Sequence, residues 1–189
     1  EGVDNRDYAV SGTWGADGTT YFWDVTDPGQ IRKIDSIQVD ARTVNDVKVS
    51  EDGKISVISR EGASSRKNGI VIIDTTNPYD VNIISEYTTN LTGGVHNVFI
   101  YDDHVYALSN GERFYVINIE DPSNPYEVGM FEIGEKGQAI HDVWVEDGIA
   151  YTSNWKHGVY IIDVGNGVAG GSPSNPVVMS NYSYESGAH

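Results

Sequence analysis

The residues best equipped for chemistry are polar pairs that open apolar strands. His96-Asn97 precedes VFIY, His141-Asp142 precedes VWVE, and Asn45-Asp46 precedes VKVS. A further histidine, His189, stands at the matching place after Gly187-Ala188. An imidazole beside a carboxylate or amide can ligate a divalent cation or pass a proton, because histidine ordinarily titrates near neutrality. On that ground His96, His141 and Asp142 are candidate metal ligands, and the same residues are candidates for proton transfer. The simpler reading is a polar plug. A buried imidazole nitrogen without a partner costs about 1–3 kcal/mol, so His96 and His141 would each hydrogen-bond to a strand-opening residue of a neighbouring blade or to its loop, with Asn97 and Asp142 nearby.

Other sites are absent or explained by turns. The chain has no cysteine, which removes disulfides, thiolate metal sites and cysteine nucleophiles. The acidic triplets Glu51-Asp52-Gly53, Asp102-Asp103-His104 and Glu146-Asp147-Gly148 resemble paired catalytic carboxylates, but short hairpins ask for these residues. None has the spacing of a calcium loop. Gly165 to Gly170 reads G-x-G-x-x-G, yet the GSPSNP that follows (171–176) forbids the helix a dinucleotide site needs. No cofactor is implied beyond a divalent cation at the histidine pairs.

Charge excludes more. Twelve Lys and Arg face 28 Asp and Glu, a formal net charge of −16. Nucleic acid and anionic lipid surfaces both require a basic face. No apolar run approaches the roughly 18 residues that cross a bilayer. Nine of the 12 basic residues lie in 1–67, so that stretch carries −3 and the remainder −13. Within it, the loop REGASSRKNG (60–69) offers Arg60, Arg66 and Lys67; with Trp155 from a later loop, these are candidates for docking another protein or a larger assembly.

The elements that position these residues repeat. VNDVKVSEDGKISVIS (44–59), VHNVFIYDDHVYALS (95–109) and IHDVWVEDGIAYTS (140–153) are each a strand, an acidic turn and a second strand. A third strand follows, ending at Asp74, Asn118 or Asp163, with an earlier copy at Asp24; the spacings are 50, 44 and 45 residues. A more polar fourth strand closes each unit. Such ends suit a residue that accepts backbone N–H bonds from the next turn. Four strands per 40–50 residues predict an all-β fold, a β-propeller of four-stranded antiparallel blades. The units are 1–43 (lacking its first strand), 44–94, 95–139 and 140–187. About four blades are covered; because a propeller hides its sheet edges by closing, they form either a four-bladed ring left open by one strand or part of a larger ring of seven or eight, and the larger ring is the expectation.

VIID (71–74), YVIN (115–118) and YIID (160–163), each leading into a turn, with the weaker YFWD (21–24), resemble the LVIVD-repeat proteins. The HNV and HDV openings at 96–98 and 141–143 do so too. The resemblance spans nearly the whole chain. It implies a propeller, commonly exported (periplasm, cell surface or outside the cell), and it brings no reaction. Asn90-Leu91-Thr92 and Asn181-Tyr182-Ser183 are glycosylation sequons that matter only along such a route. The functional expectation is a non-enzymatic protein-binding or scaffolding module. The alternative is a metal-dependent hydrolase or lyase using the polar ring of Asn45, Asp46, His96, Asn97, His141, Asp142 and His189 at the channel mouth.

Overall fold

The computed structural model describes residues 4–134 and 139–184, and these contain no helix. The first sheet holds β1 (Tyr8–Ser11), β2 (Thr19–Asp24) and β3 (Arg32–Gln38). The second holds β4 (Val47–Val49), β5 (Ile55–Arg60), β6 (Gly69–Asp74) and β7 (Asn82–Tyr87). The third holds β8 (Val95–Tyr101), β9 (His104–Ser109), β10 (Arg113–Asn118) and β11 (Tyr126–Glu132). The fourth holds β12 (Asp142–Glu146), β13 (Ile149–Ser153), β14 (Val159–Asp163) and β15 (Val177–Tyr182). Each sheet runs in chain order, antiparallel throughout. The chain divides into two compact units, one ending at Gly94 and the other beginning at Val95.

The third strand anchors each sheet. In β6, Ile70, Val71, Ile72 and Ile73 are all fully buried, so this strand has no solvent face. In the first unit, Ile58, Val71 and Ile73 pack with Phe22, Val44 and Val81, and Val10 and Ile34 lean on the cluster. In the second unit, Leu108, Phe114 and Val116 pack with Ile140, Val143, Val145 and Ile162. Fourth strands are more exposed, as their polar sequences require. In all four sheets the ladder between the last two strands slips at one place: Phe22/Trp23, Ile72/Ile73, Val116/Ile117 and Ile161/Ile162. A bulge there adds the same local twist to each sheet.

The residues that end the third strands act as turn formers. Oδ1 of Asp24, Asp74, Asn118 and Asp163 each accepts the N–H two residues on, at 2.9–3.1 Å. The next polar residue repeats the device: Asp27, Asn77 and Asp121 accept from Gly29, Tyr79 and Ser123. This accounts for the D-x-x-D/N-P turn of the repeat without any ligand.

Asp163 takes the device furthest. Its Oδ1 accepts N–H groups of Gly165 and Gly167, and its Oδ2 those of Ala169 and Gly171, at 2.7–3.1 Å. The G-x-G-x-x-G segment therefore wraps a carboxylate of its own chain. Gly171 is required, since a Cβ there would collide with the Asp163 carbonyl oxygen. Burial pushes the Asp163 carboxyl up, but the four N–H groups outweigh it and hold it at about 2. The stability it contributes is complete above the ordinary carboxylate value and is lost as pH falls toward that figure. Asp163→Asn should lower Tm at neutral pH by roughly 5 °C. In melts from pH 7 to pH 2, the gap to the parent should close at the acid end; a constant gap would refute the charged anchor.

Candidate functional site

In the second unit the predicted openings meet. Val95 pairs with Ser109, but the β8–β9 ladder then slips until Val98. His96 and Asn97 lie in that irregularity, outside the regular pairing. Such a bulge re-aims side chains, and here two consecutive residues both reach the start of β12. The His96 and His141 rings lie 5.1 Å apart between centroids, at 63°. Asn97 Nδ2 donates to Asp142 Oδ1 at 3.0 Å, and the same oxygen accepts the Val143 N–H at 2.8 Å. The bond that crosses between the two openings thus runs from Asn97 to Asp142, while the histidines meet ring to ring. Backbone bonds fix the approach. His141 N–H donates to Ser153 O at 2.7 Å, and Ile140 N–H to Gly111 O at 3.0 Å.

The first unit repeats the plan with other side chains. Val44 N–H donates to Thr13 O at 2.8 Å, as Ile140 does to Gly111. Asp46 N–H donates to Ser59 Oγ at 2.9 Å, and Asp46 Oδ1 accepts from Val47 N–H at 2.9 Å and Lys48 Nζ at 3.1 Å. Asn45 is half-buried at the same opening. His189 lies outside the described residues.

Trp155 joins the histidines. Its ring stands 4.7 Å from that of His141, at 80°, and the indole is 43% exposed. The loop holding it is built by Asn154, fully buried, whose Nδ2 donates to Thr152 O, Thr152 Oγ1 and Gly158 O at 2.8–3.1 Å. His157 N–H closes a turn onto Asn154 O at 2.8 Å, with Trp155 at its second position and φ of 45°. Turns of that geometry favour Gly, Asn or Asp. The corresponding turn of the preceding sheet has Asn110 (φ 56°) and Gly111 (φ 65°). A bulky residue held there costs on the order of 1–3 kcal/mol.

The expected basic loop needs correction at one residue. Arg60 is not a loop cation: it ends β5, opposite Gly69, and its side chain is 3% exposed. Its Nη1 lies 2.8 Å from Glu86 Oε2, and burial of the guanidinium removes it from any docking surface. Arg66 and Lys67 remain exposed. Asp40 pins the loop, accepting from Ser64 and Ser65 N–H at 2.7 and 3.0 Å, and hydrogen bonds from Ser65 and Ser64 hold its carboxyl well below the usual range.

Two other polar groupings were not anticipated as such. In the first unit Asp24 Oδ2 binds Arg6 and Arg32, each at 2.9 Å. Hydrogen bonds from Thr26 and then the two guanidiniums hold this carboxyl at about 2. In the second, a cavity of about 520 Å³ is lined by Asp102, Asp103, His104, Tyr106 and Asp147. Burial lowers the His104 pKa against the pull of Asp103 and Asp102. Among the described residues, no three His, Asp or Glu side chains gather closely enough to hold a metal ion. His96, His141 and Asp142, candidates for a cation, are not brought together as such a set.

Solved structures share this fold. One is a proposed 6-phosphogluconolactonase from Bacteroides uniformis, at 12% identity and TM-score 0.75, covering 96% of this chain and 56% of the other. Another is the periplasmic gluconolactonase of Pseudomonas aeruginosa, at 13% identity and TM-score 0.73, covering 96% and 55%. A third is a β-propeller domain from Myceliophteria thermophila, at 13% identity and TM-score 0.66, covering 96% and 53%. The chain thus spans about half the length of these neighbours. Its class is the β-propeller. The LVIVD repeat profile matches residues 64–89, 92–132 and 136–183, and the chain belongs to that family. No curated protein matches the chain. The expectation of a non-enzymatic scaffold is set aside, because solved propellers of this fold include proteins named as lactonases.

Removing the crossing bond tests the site's architecture. Asn97→Ala should lower Tm by roughly 2–4 °C, the value of about one hydrogen bond in a chain of this size. An unchanged melt would show that the Asn97–Asp142 link carries no weight.

Proposed function

We propose that the chain carries the acid–base site of a hydrolase that opens a cyclic ester. The observation behind this reading is the pair of imidazoles, His96 and His141, drawn to 5.1 Å from neighbouring strand openings beside the Asn97–Asp142 bond. Two imidazoles side by side can divide the work. One takes a proton from water as its oxygen attacks the carbonyl carbon. The ring C–O bond then breaks, and the other imidazole returns a proton to the leaving oxygen. Lactone and water become one hydroxy acid, with no other reactant. The lactonases among the fold's neighbours support this choice of ester.

Charge narrows the substrate. Residues 68–189 hold three Lys and Arg against sixteen Asp and Glu, so a neutral lactone is favoured over a phosphorylated one. We also place the four sheets within a ring of seven or eight blades. The half-length coverage of solved propellers supports this, as do the exposed Trp144 and Tyr151, paired on the face of the fourth sheet.

Hydrolysis of D-glucono-1,5-lactone by the purified chain, corrected for spontaneous opening, should exceed that of its 6-phosphate at low salt. His141→Gln and His96→Gln should each lower kcat/KM by about 100-fold or more with little change in Tm. Turnover unaffected in both variants would remove the histidines from the chemistry. For the exposed face, the chain should bind the apolar dye ANS, and Trp144→Gln with Tyr151→Gln should weaken that signal; a parent that binds no dye contradicts an uncovered face.

A further inference from the structure

We infer that Trp155 is a stacking platform that selects a sugar-derived ring for the His96–His141 site. The choice of site rests on the hydrolase reading above. The platform itself rests on three features of the loop. First, Trp155 occupies a backbone position, φ 45°, that turns reserve for small residues, and the sister turn fills it with Asn110. Second, Trp155 is 43% exposed, so beside its edge contact with His141 it keeps surface open to a ligand. Third, the loop is built rigidly around it: Asn154 is fully buried and ties Thr152 to Gly158.

The surroundings define what would stack. Trp155 and His141 stand almost perpendicular, at 80°, and form a corner between an apolar plane and a polar edge. His96, Asn97 and Asp142 continue that edge. Asn97 Oδ1 is buried there with no hydrogen-bond partner among the described residues. A flat aromatic ligand would use the plane and leave the edge unanswered. A pyranose-type ring answers both, with C–H groups on one face for the indole and hydroxyls at its rim for the amide and carboxylate. Trp155 is therefore a positioning residue, setting the ring against the imidazoles without taking part in proton transfer.

D-glucose, which cannot be hydrolysed, separates this from the reaction. Calorimetry on the purified chain should show saturable glucose binding. Trp155→Ala should weaken it about tenfold and raise KM for D-glucono-1,5-lactone by a similar factor, with kcat nearly unchanged, and Trp155→Phe should restore most of both. Trp155→Gly should raise Tm while losing the sugar, because glycine accepts the turn without strain. Glucose binding that depends on Trp155 in a chain with no lactone turnover would uphold the platform and sink the hydrolase. Turnover whose KM ignores Trp155→Ala would do the reverse. Absence of glucose binding by the parent would overturn the platform as well.

Discussion

The first unit is organised around a strand with no wet side. Ile70 to Ile73 are buried in succession, so the sheet that contains them needs cover on both faces. Within each unit, two sheets of one design packed together bring like parts beside like. In the second unit this places the start of β8 next to the start of β12, and with them His96 next to His141. The candidate site is thus a by-product of how the core is buried. A cluster of this kind arises without any selection for chemistry, and what turns it toward function is the choice of side chains at a place the fold supplies anyway.

That choice varies along the chain in a physically readable way. Asp46 is satisfied locally, by Val47 N–H and Lys48 Nζ. Asn97 instead reaches across to Asp142. An amide can donate where a carboxylate cannot, so an Asn facing an Asp makes a link that two carboxylates would refuse. The slip between Val95 and Val98 gives the amide its reach.

Most of the architecture was legible because it is periodic. Asp24, Asp74, Asn118 and Asp163 announced their turn role by recurring at one strand end, and each accepts the expected N–H. The strand openings were legible for the same reason. What escaped was whatever happens once. Arg60 looked like part of a basic loop because its neighbours Arg66 and Lys67 are, yet the β5 ladder extends one residue further, to Gly69, and carries its guanidinium inside to Glu86. Trp155 read as a loose surface anchor, since no sequence pattern reports that a turn holds an aromatic residue at positive φ. A link between the two openings was expected through His96 and His141, but a crossing bond runs from Asn97 to Asp142, because the bulge that decides this depends on packing between sheets.

The plug and the acid–base site are often treated as rival accounts of a polar cluster. In the reading proposed above they fall on different atoms. The Asn97–Asp142 bond, with Asp142 also accepting from Val143, joins two sheets and belongs to stability. The imidazoles beside it meet through their rings, and one of them faces an indole whose backbone is held in an unfavourable conformation. A plug has no use for that strain. Backbone preference alone would favour an Asn or Gly at position 155, as in the preceding sheet. The amide–carboxylate pair holds the frame, and His96, His141 and Trp155 line up ring against ring beside it.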